Sequence, residues 1–261
     1  MLQGRRILVV GAGTRPSPEP DSPVGNGRAI SLICARNGAD VACLDREASA
    51  AQATARLVEA EGTRSVVVVA DVSDAQQCSA AVATAATELG SLDGLVLNVG
   101  IARGSRLAET SAEDWDMTFA VNVRAHFLAC QAALPLLAEA AESGTAAAIV
   151  FISSVAGLKP GSRIPAYDAS KAALAGLCRH VAAEGARKGV RASVIAPGLI
   201  DTPLGRVASS GRPSRDRTPV PLGRMGTAWE VADAAVWLLS AHASYVTGQV
   251  LAVDGGLSTL L

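Results

Sequence analysis

An α/β fold is the fold class that this sequence predicts: one doubly wound parallel sheet of about seven strands, with helices on both faces. Three observations carry the prediction. Short apolar runs alternate with stretches of helical period along nearly all of the 261 residues. The first run passes directly into a glycine-rich turn, and later runs also end on glycine or small polar residues. No internal repeat or linker interrupts the alternation, so one domain around a single core is expected over residues 1–261. Alternating strand and helix implies right-handed crossovers that place all strand carboxyl ends on one edge. In open sheets of this kind that edge holds the site.

The elements follow in order. Arg5–Val10, RRILVV, reads as a buried strand and runs into Gly11-Ala12-Gly13-Thr14. A helix is expected from Gly27, with Ile30, Ile33 and Cys34 on its apolar face and Asn37-Gly38 as its stop. Asp40–Leu44 is a second strand that ends on Asp45. Helix Glu47–Glu61 leads to strand Ser65–Ala70, which ends at Asp71-Val72, and helix Ala75–Leu89 leads to Leu95–Leu97, which ends at Asn98-Val99-Gly100. One long helix is expected over Ser111–Ala141, containing Asn122. Ala147–Ile152 is a strand ending at Ser153-Ser154, Ala166–Lys188 a helix, and Arg191–Ile195 a strand ending at Pro197-Gly198. Leu204–Gly226 reads as an irregular lid, followed by helix Ala228–Leu239 and a last strand, Gln249–Val253.

Composition narrows the function classes. The chain is 49% hydrophobic but only 3% aromatic, and its net charge of -1 gives no general attraction to nucleic acid or to an anionic membrane. No run reaches the ~18 apolar residues of a membrane span, and MLQGRRILVV is too short in its apolar part for a secretory signal, so a cytoplasmic protein is expected. The five cysteines, Cys34, Cys43, Cys78, Cys130 and Cys178, are odd in number and show no CxxC spacing. Reduced core thiols are expected, with neither disulfide nor structural metal.

The order strand, glycine turn, helix, strand, acidic residue matches a dinucleotide-binding fingerprint in its required context. The glycines let backbone N–H groups approach a pyrophosphate at a helix N-terminus, and the Asp45 carboxylate would receive the adenosine ribose hydroxyls. Between Gly13-Thr14 and Gly25-Asn26-Gly27 the chain inserts RPSPEPDSPV, Arg15–Val24, whose four prolines exclude helix. With that segment removed, GAGT-GNG remains as a compact glycine turn. A stiff surface loop beside the phosphates is expected, because long surface insertions cost little loop-closure entropy.

Acid/base chemistry is expected at Ser153–Lys171, SSVAGLKPGSRIPAYDASK. Tyr167 and Lys171 are four residues apart, so on a helix the ammonium lies beside the phenol. A cation there favours the phenolate and lowers an acidity constant of about 10. The chain has only two tyrosines, and Tyr245 has no lysine at helical distance. A lone tyrosine-lysine pair of this spacing also occurs on ordinary surface helices. What raises it here is convergence: Gly11, Asp45, Asp71, Asn98, Ser154 and Pro197 each follow a predicted strand end and so share one crevice.

On these residues the chain resembles the short-chain dehydrogenase/reductase family over essentially its whole length, with its Rossmann-type sheet. The glycine turn GAGT…GNG, Asp45, and Asp71-Val72 are similar to the family's dinucleotide contacts; Leu97–Gly100, LNVG, is similar to its NNAG with Leu97 and Val99 as departures. Asn122 in VNV, Ser154, and Tyr167-x-x-x-Lys171 match its catalytic tetrad. PGLIDT matches the nicotinamide-holding segment with Pro197, Gly198, Ile200 and Thr202, while Ser193 stands where many members carry asparagine, and VTGQVLAVDGG completes the set. The resemblance implies that Tyr167 exchanges the proton of the substrate oxygen and Ser154 hydrogen-bonds the same oxygen. It implies that Lys171 biases Tyr167 and binds the nicotinamide ribose, and that Asn122 anchors a water on the proton path. It also implies a homotetramer or homodimer packed through the helices that hold Asn122 and Tyr167.

A carboxylate at Asp45 pairs with two ribose hydroxyls and repels a 2′-phosphate, which favours NAD(H), whereas the neighbouring Arg46 keeps NADP(H) open. The expected substrate is a small molecule, a secondary alcohol or ketone. The pocket rim, Ile101–Arg106, Val155–Pro165 and Leu199–Leu222, carries Arg103, Arg106, Lys159, Arg206, Arg212, Arg215 and Arg217, which reads as a solvated basic lid before it reads as an anion site. Family members that reduce acyl groups on a carrier protein present arginines on two helices, where this chain aligns Leu134 and Ala183. An NADPH-dependent 3-oxoacyl-(carrier protein) reductase is therefore the second enzymatic reading. Sugar-nucleotide epimerases also use the tyrosine-lysine pair but add a C-terminal substrate region. A dinucleotide-sensing or scaffold protein is the non-enzymatic alternative, and the presence of all four tetrad residues argues against it.

Overall fold

The computed structural model describes residues 1–15, 21–209 and 219–260. Its strands are β1 Arg6–Val10, β2 Asp40–Asp45, β3 Ser65–Val69, β4 Gly94–Leu97, β5 Ala147–Ile152, β6 Val190–Pro197, β7 Ile200–Asp201, β8 Gly226–Thr227 and β9 Val250–Val253. The helices are α1 Asn26–Arg36, α2 Ala48–Ala60, α3 Ala75–Leu89, α4 Ala112–Phe119, α5 Ala125–Glu142, α6 Pro165–Ala186 and α7 Pro203–Ser209, with Ala228–Leu239 as α8. Seven strands form one parallel sheet in the order β3-β2-β1-β4-β5-β6-β9.

Strand alternation decides which side chain enters which layer. In β1, Leu8 and Val10 join the apolar layer built with α3, α5 and α6, while Ile7 and Val9 join the layer built with α1, α2 and α8. All four are shielded from solvent. Only a sheet covered on both faces makes such continuous apolar runs stable as strands. Helix boundaries follow local chemistry. Asp74 caps α3 by accepting from the amides of Gln76 and Gln77, and Gly90, at φ 87°, ends it. Thr227 and Glu230 cap α8 reciprocally. Pro165, which needs no hydrogen-bonded amide at a first turn, opens α6.

From β1 the chain winds outward through β2 and β3, then returns to the other side of β1 as β4. That reversal opens a crevice between the carboxyl ends of β1 and β4. The registers align the strand ends: Val10 pairs with Leu44 and Leu97, Leu97 with Phe151, and Ile152 with Ile195. The residues leaving β1, β2, β4, β5 and β6 therefore emerge along one edge.

The structure departs from the sequence expectation in two places. The single helix Ser111–Ala141 is instead α4, a π-helical turn Ala120–Arg124, and α5. The cause is Asn122 inside that turn, whose side chain is drawn into three hydrogen bonds off the helix axis. Leu204–Gly226 is also less irregular than expected at its two ends, where α7 begins and β8 pairs with β7. Residues 210–218 of the lid, including Arg212, Arg215 and Arg217, and residues 16–20 of the insertion lie outside the described residues. The five cysteines are buried and free. Ala112–Glu142 reaches the length and apolarity of a bilayer span, and half of an apolar 18-residue stretch of it is buried in the molecule, where Ala133, Leu134 and Leu137 join the sheet layer.

Candidate active site

The glycine turn after β1 is held together by its neighbours. Gly11, at φ 80°, donates its amide to Leu44 O at 2.8 Å, and the Asn98 side chain donates to Gly11 O at 2.8 Å. A Cβ on Gly27 would lie 1.8 Å from Gly11 O, and one on Gly11 would lie 2.9 Å from the Val99 backbone. The turn, α1 and the β4 exit are thus in contact that only glycine permits. Thr14 Oγ1 accepts from the Gly25 amide at 3.1 Å, so the base of the Arg15–Val24 insertion is pinched shut and GAGT meets GNG as the sequence suggested.

This cradle fits a dinucleotide on three counts. α1 begins at Gly25 with no side-chain cap, which leaves first-turn amides for a phosphate. Asn26 Oδ1 is buried without a hydrogen-bond partner at the same turn. Asp45 stands at the end of β2, its Oδ2 accepting from Gly13 N at 2.9 Å and its Oδ1 from Glu47 N at 3.1 Å. A carboxylate has about four acceptor sites, so further capacity remains for hydroxyl donors. Arg46 leans on Glu47, 3.5 Å away. Asp71 is held ionised below its ordinary range chiefly by the backbone amide of Ser73, with Arg46 adding a smaller attraction. Val72 is buried beside it.

Across the crevice lies the tyrosine-lysine pair. Lys171 is buried, its Nζ donates to Ile152 O at 2.9 Å, and the ammonium stands 5.8 Å from the centre of the Tyr167 ring. Burial lowers its pKa to about 8, so it remains a cation at neutral pH. Gly100 is what lets the segment after β4 pass the ammonium: a Cβ there would sit 3.1 Å from Lys171 Nζ. Asn122 donates to Ile101 O at 2.8 Å and to Ser170 Oγ at 2.9 Å, and accepts from Ile101 N at 2.8 Å. Ser170 in turn donates to Tyr167 O at 2.8 Å, which ties the π turn to the first turns of α6. Ser154 follows β5 with its Oγ accepting from Ala156 N at 3.1 Å, leaving its hydroxyl hydrogen available.

The remaining predicted residues close the edge. Pro197 ends β6, and Gly198 donates to Val253 O at 3.0 Å, where a Cβ would strike Asp254. Ile200 is buried in β7, and Thr202 Oγ1 accepts from Gly205 N at 3.0 Å to start α7. Among the rim cations read from the sequence, three of the four described are engaged. Lys159 reaches the carbonyl of Leu257 at 2.5 Å, Arg206 pairs with Asp201 at 2.8 Å, and Arg103 lies 4.0 Å from Asp114. Arg106 instead lines an open cleft of about 510 Å³ with Leu107, Arg163, Pro165 and Asp168, just before and after Tyr167 in α6.

Besides Ser170, sequence reasoning missed four participants. Ser153 Oγ donates to Lys171 O at 2.7 Å, joining β5 to α6. Arg28 bonds Thr54 Oγ1 at 3.0 Å, and Thr54 donates to Ala12 O, which ties α1 and α2 to the glycine turn. His126, fully buried on α5, stands 3.1 Å from Val99 O. Its four-residue spacing from Asn122 was the signal that both share a helix face.

Comparison with known proteins agrees with the fold. The family described as enoyl-(acyl carrier protein) reductase matches residues 23–258. The chain is 37% identical over 265 residues to a 2-(S)-hydroxypropyl-CoM dehydrogenase of Xanthobacter autotrophicus, covering 99% of this chain and 98% of that one. A 2-deoxy-D-gluconate 3-dehydrogenase structure from Agrobacterium tumefaciens, described as putative and with bound NADP, superposes with a TM-score of 0.84 at 35% identity, covering 98% and 97% of the two chains. A 3-ketoacyl-(acyl-carrier-protein) reductase from Brucella melitensis complexed with NADH superposes at 0.87 with 28% identity, covering 99% and 100%.

Proposed function

Because the chain belongs to the short-chain dehydrogenase/reductase family, we propose that it transfers a hydride between NAD(H) and the carbinol carbon of a secondary alcohol, or its ketone. Tyr167 acts as the general acid/base. The observation that carries this reading is the buried Lys171 ammonium, 5.8 Å from the Tyr167 ring, on the same edge as the glycine cradle.

The bound nicotinamide supplies the hydride acceptor or donor; the chain supplies proton management and position. In the oxidative direction Tyr167 removes the hydroxyl proton as phenolate, a state that the neighbouring ammonium stabilises by simple Coulomb attraction. Ser154 donates its free hydroxyl hydrogen to the same substrate oxygen, where negative charge develops. Lys171 keeps its cation below about pH 8 and is fixed by Ile152 O, so its position costs no reorganisation during the reaction. Asn122 holds Ile101 by both backbone groups and so fixes the wall of the crevice next to Lys171.

Asp45 favours NAD(H) over NADP(H). Its carboxylate is already oriented by two amides, so a 2′-phosphate would meet a fixed negative charge. Arg46, the group that would counter this, leans on Glu47 and faces Asp71. A homotetramer or homodimer through α5 and α6 is part of the proposal, and the exposed Phe127 of α5 gives that side apolar area to cover.

The test is to incubate the protein with NAD or NADP and a panel of secondary alcohols, and to follow reduced nicotinamide at its near-ultraviolet absorbance. Turnover with NAD is expected, reduced by at least about a hundredfold in Tyr167→Phe, since general acid/base catalysis supplies about 10²–10⁴. Turnover that persists in that variant overturns the mechanism. Reduction of an enoyl thioester with none of any ketone, or reduction of 3-oxoacyl carrier protein alone, would replace the substrate reading.

A further inference from the structure

His126 is a buried titratable group for which the proposed chemistry has no use. Its surroundings are specific. Nε2 lies 3.1 Å from Val99 O, the ring is tilted 49° against Phe151 at 6.2 Å, and Nδ1 is buried with no hydrogen-bond partner. A carbonyl oxygen only accepts, so Nε2 must carry the hydrogen and Nδ1 the bare lone pair. A second proton on Nδ1 would have no acceptor and would stand in the field of the Lys171 ammonium. Burial first, then that ammonium, holds the ring neutral, with a pKa of about 3. One tautomer of one charge state fits this place.

The grip has a functional address. Asn122 lies in the π turn Ala120–Arg124 and His126 in the first turn of α5, and both side chains hold the same short segment, Asn122 at Ile101 and His126 at Val99. On one side that segment touches the glycine turn: Val99 N donates to Val10 O at 2.9 Å, and the Val99 backbone blocks any Cβ on Gly11. On the other side Gly100 passes within contact of Lys171. The three residues from Val99 to Ile101 thus connect the phosphate cradle to the acid/base pair, and His126 holds one end of them.

We propose that His126 is a positioning residue which, as the neutral Nε2-protonated tautomer, fixes Val99–Ile101 between the dinucleotide cradle and Lys171. The part of the proposal that concerns turnover rests on the function proposed above; the tautomer and the grip on the segment do not. Loss of the donor leaves Val99 O unsatisfied and lets the segment drift from both neighbours, so dinucleotide affinity and turnover fall together. Gln places an amide N–H near the position of Nε2 and should substitute; Phe preserves the ring packing and should not.

Two measurements test it. In the wild-type protein, ¹⁵N NMR of the three histidines, His126, His180 and His242, should show one ring with a protonated Nε2 and a bare Nδ1 from pH 8 to pH 5. Three titrating rings, or an Nδ1-protonated tautomer at His126, overturn the proposal without any variant being made. In variants of the full chain, His126→Phe should weaken NAD binding and lower kcat by about tenfold each, the loss of one hydrogen bond. Amide exchange at Val99 and Ile101 should accelerate in the same variant, and His126→Gln should keep all three within about threefold. Equal losses in Phe and Gln, or none in Phe, overturn the positioning role. If the wild-type protein binds NAD but oxidises no alcohol, the proposed function fails while the NMR, binding and exchange results still decide the role of His126.

Discussion

Replacing Gly27 by alanine tests whether the cradle is set by backbone contact. The added Cβ would lie 1.8 Å from Gly11 O and 2.7 Å from Asn98 Nδ2. Ordinary contact begins near 3.4 Å, so the first turn of α1 or the Gly11 turn must move by about 1.6 Å. Neither is free to do so. Ala29 and Ile30 of α1 are fully buried in the layer shared with α8, and Gly11 is bonded to Leu44 and Asn98. Overpacking of this kind costs about 1–3 kcal/mol, which in a chain of this size lowers the melting temperature by roughly 2–6 °C. The same displacement pulls the α1 amides away from the phosphate position, so NAD affinity should fall by at least about tenfold, or 1.4 kcal/mol. Thermal unfolding by circular dichroism and NAD titration by fluorescence read the two effects. Gly161→Ala, where the new carbon meets nothing within 4 Å, serves as the control for the melt. A Gly27→Ala variant with wild-type melting temperature and NAD affinity would refute the contact argument.

Two further predictions concern charge. Asp45→Ser removes the fixed carboxylate while leaving a hydroxyl for the Gly13 amide, so the ratio of kcat/KM for NAD to that for NADP should fall at least about tenfold; an unchanged ratio would assign the preference elsewhere. His126 sets an acid limit on stability. The unfolded chain takes up a proton on this ring below about pH 6.5, whereas the folded ring stays neutral down to about pH 3, so unfolding binds a proton throughout that window and stability falls as the pH drops through it. The slope is about 1.4 kcal/mol per pH unit, or roughly 2 kcal/mol between pH 6.5 and 5. Urea unfolding at pH 7 and pH 5 should show this loss in the wild type but not in His126→Gln, and equal losses in both would place the acid limit on other groups.

The fold was legible because its signal is local and repeated. The strands of the seven-stranded sheet are apolar runs that stop at a glycine, proline or polar residue, and such stops, Gly11, Asp45, Asn98, Ser154 and Pro197, are also the points where the chain leaves the sheet. One pattern therefore revealed both the architecture and the crevice. The pinch between Thr14 and Gly25 was legible for a related reason, since deleting Arg15–Val24 restores a glycine turn of ordinary length. What stayed hidden depends on partners far away in the chain. A π turn has the same composition as the helix around it, and it becomes visible only when Asn122 meets Ile101, 21 residues earlier, and Ser170, 48 residues later. Lys159 looked like a rim cation until its reach to Leu257, 98 residues on, was seen. The pairing of β7 with β8 joins two short pieces across the lid, neither long enough to show a period.

This division has a physical basis that bears on the site itself. The groups that would touch substrate or cofactor sit where regular structure ends, because only there are a side chain and free backbone amides exposed together to a ligand. Their types are constrained by chemistry, so they stand out in a sequence. The groups that hold them, His126, Ser170 and Ser153, satisfy backbone carbonyls. Any residue able to donate one hydrogen bond at the right place would serve there, which is why composition and spacing pass over them. Removing such a donor costs the desolvation of the carbonyl left behind, about 1–3 kcal/mol, comparable to losing a direct contact with a ligand. The proposed catalytic pair can then be read from five residues of sequence, while its precision is set by donors that only the folded chain brings within about 3 Å.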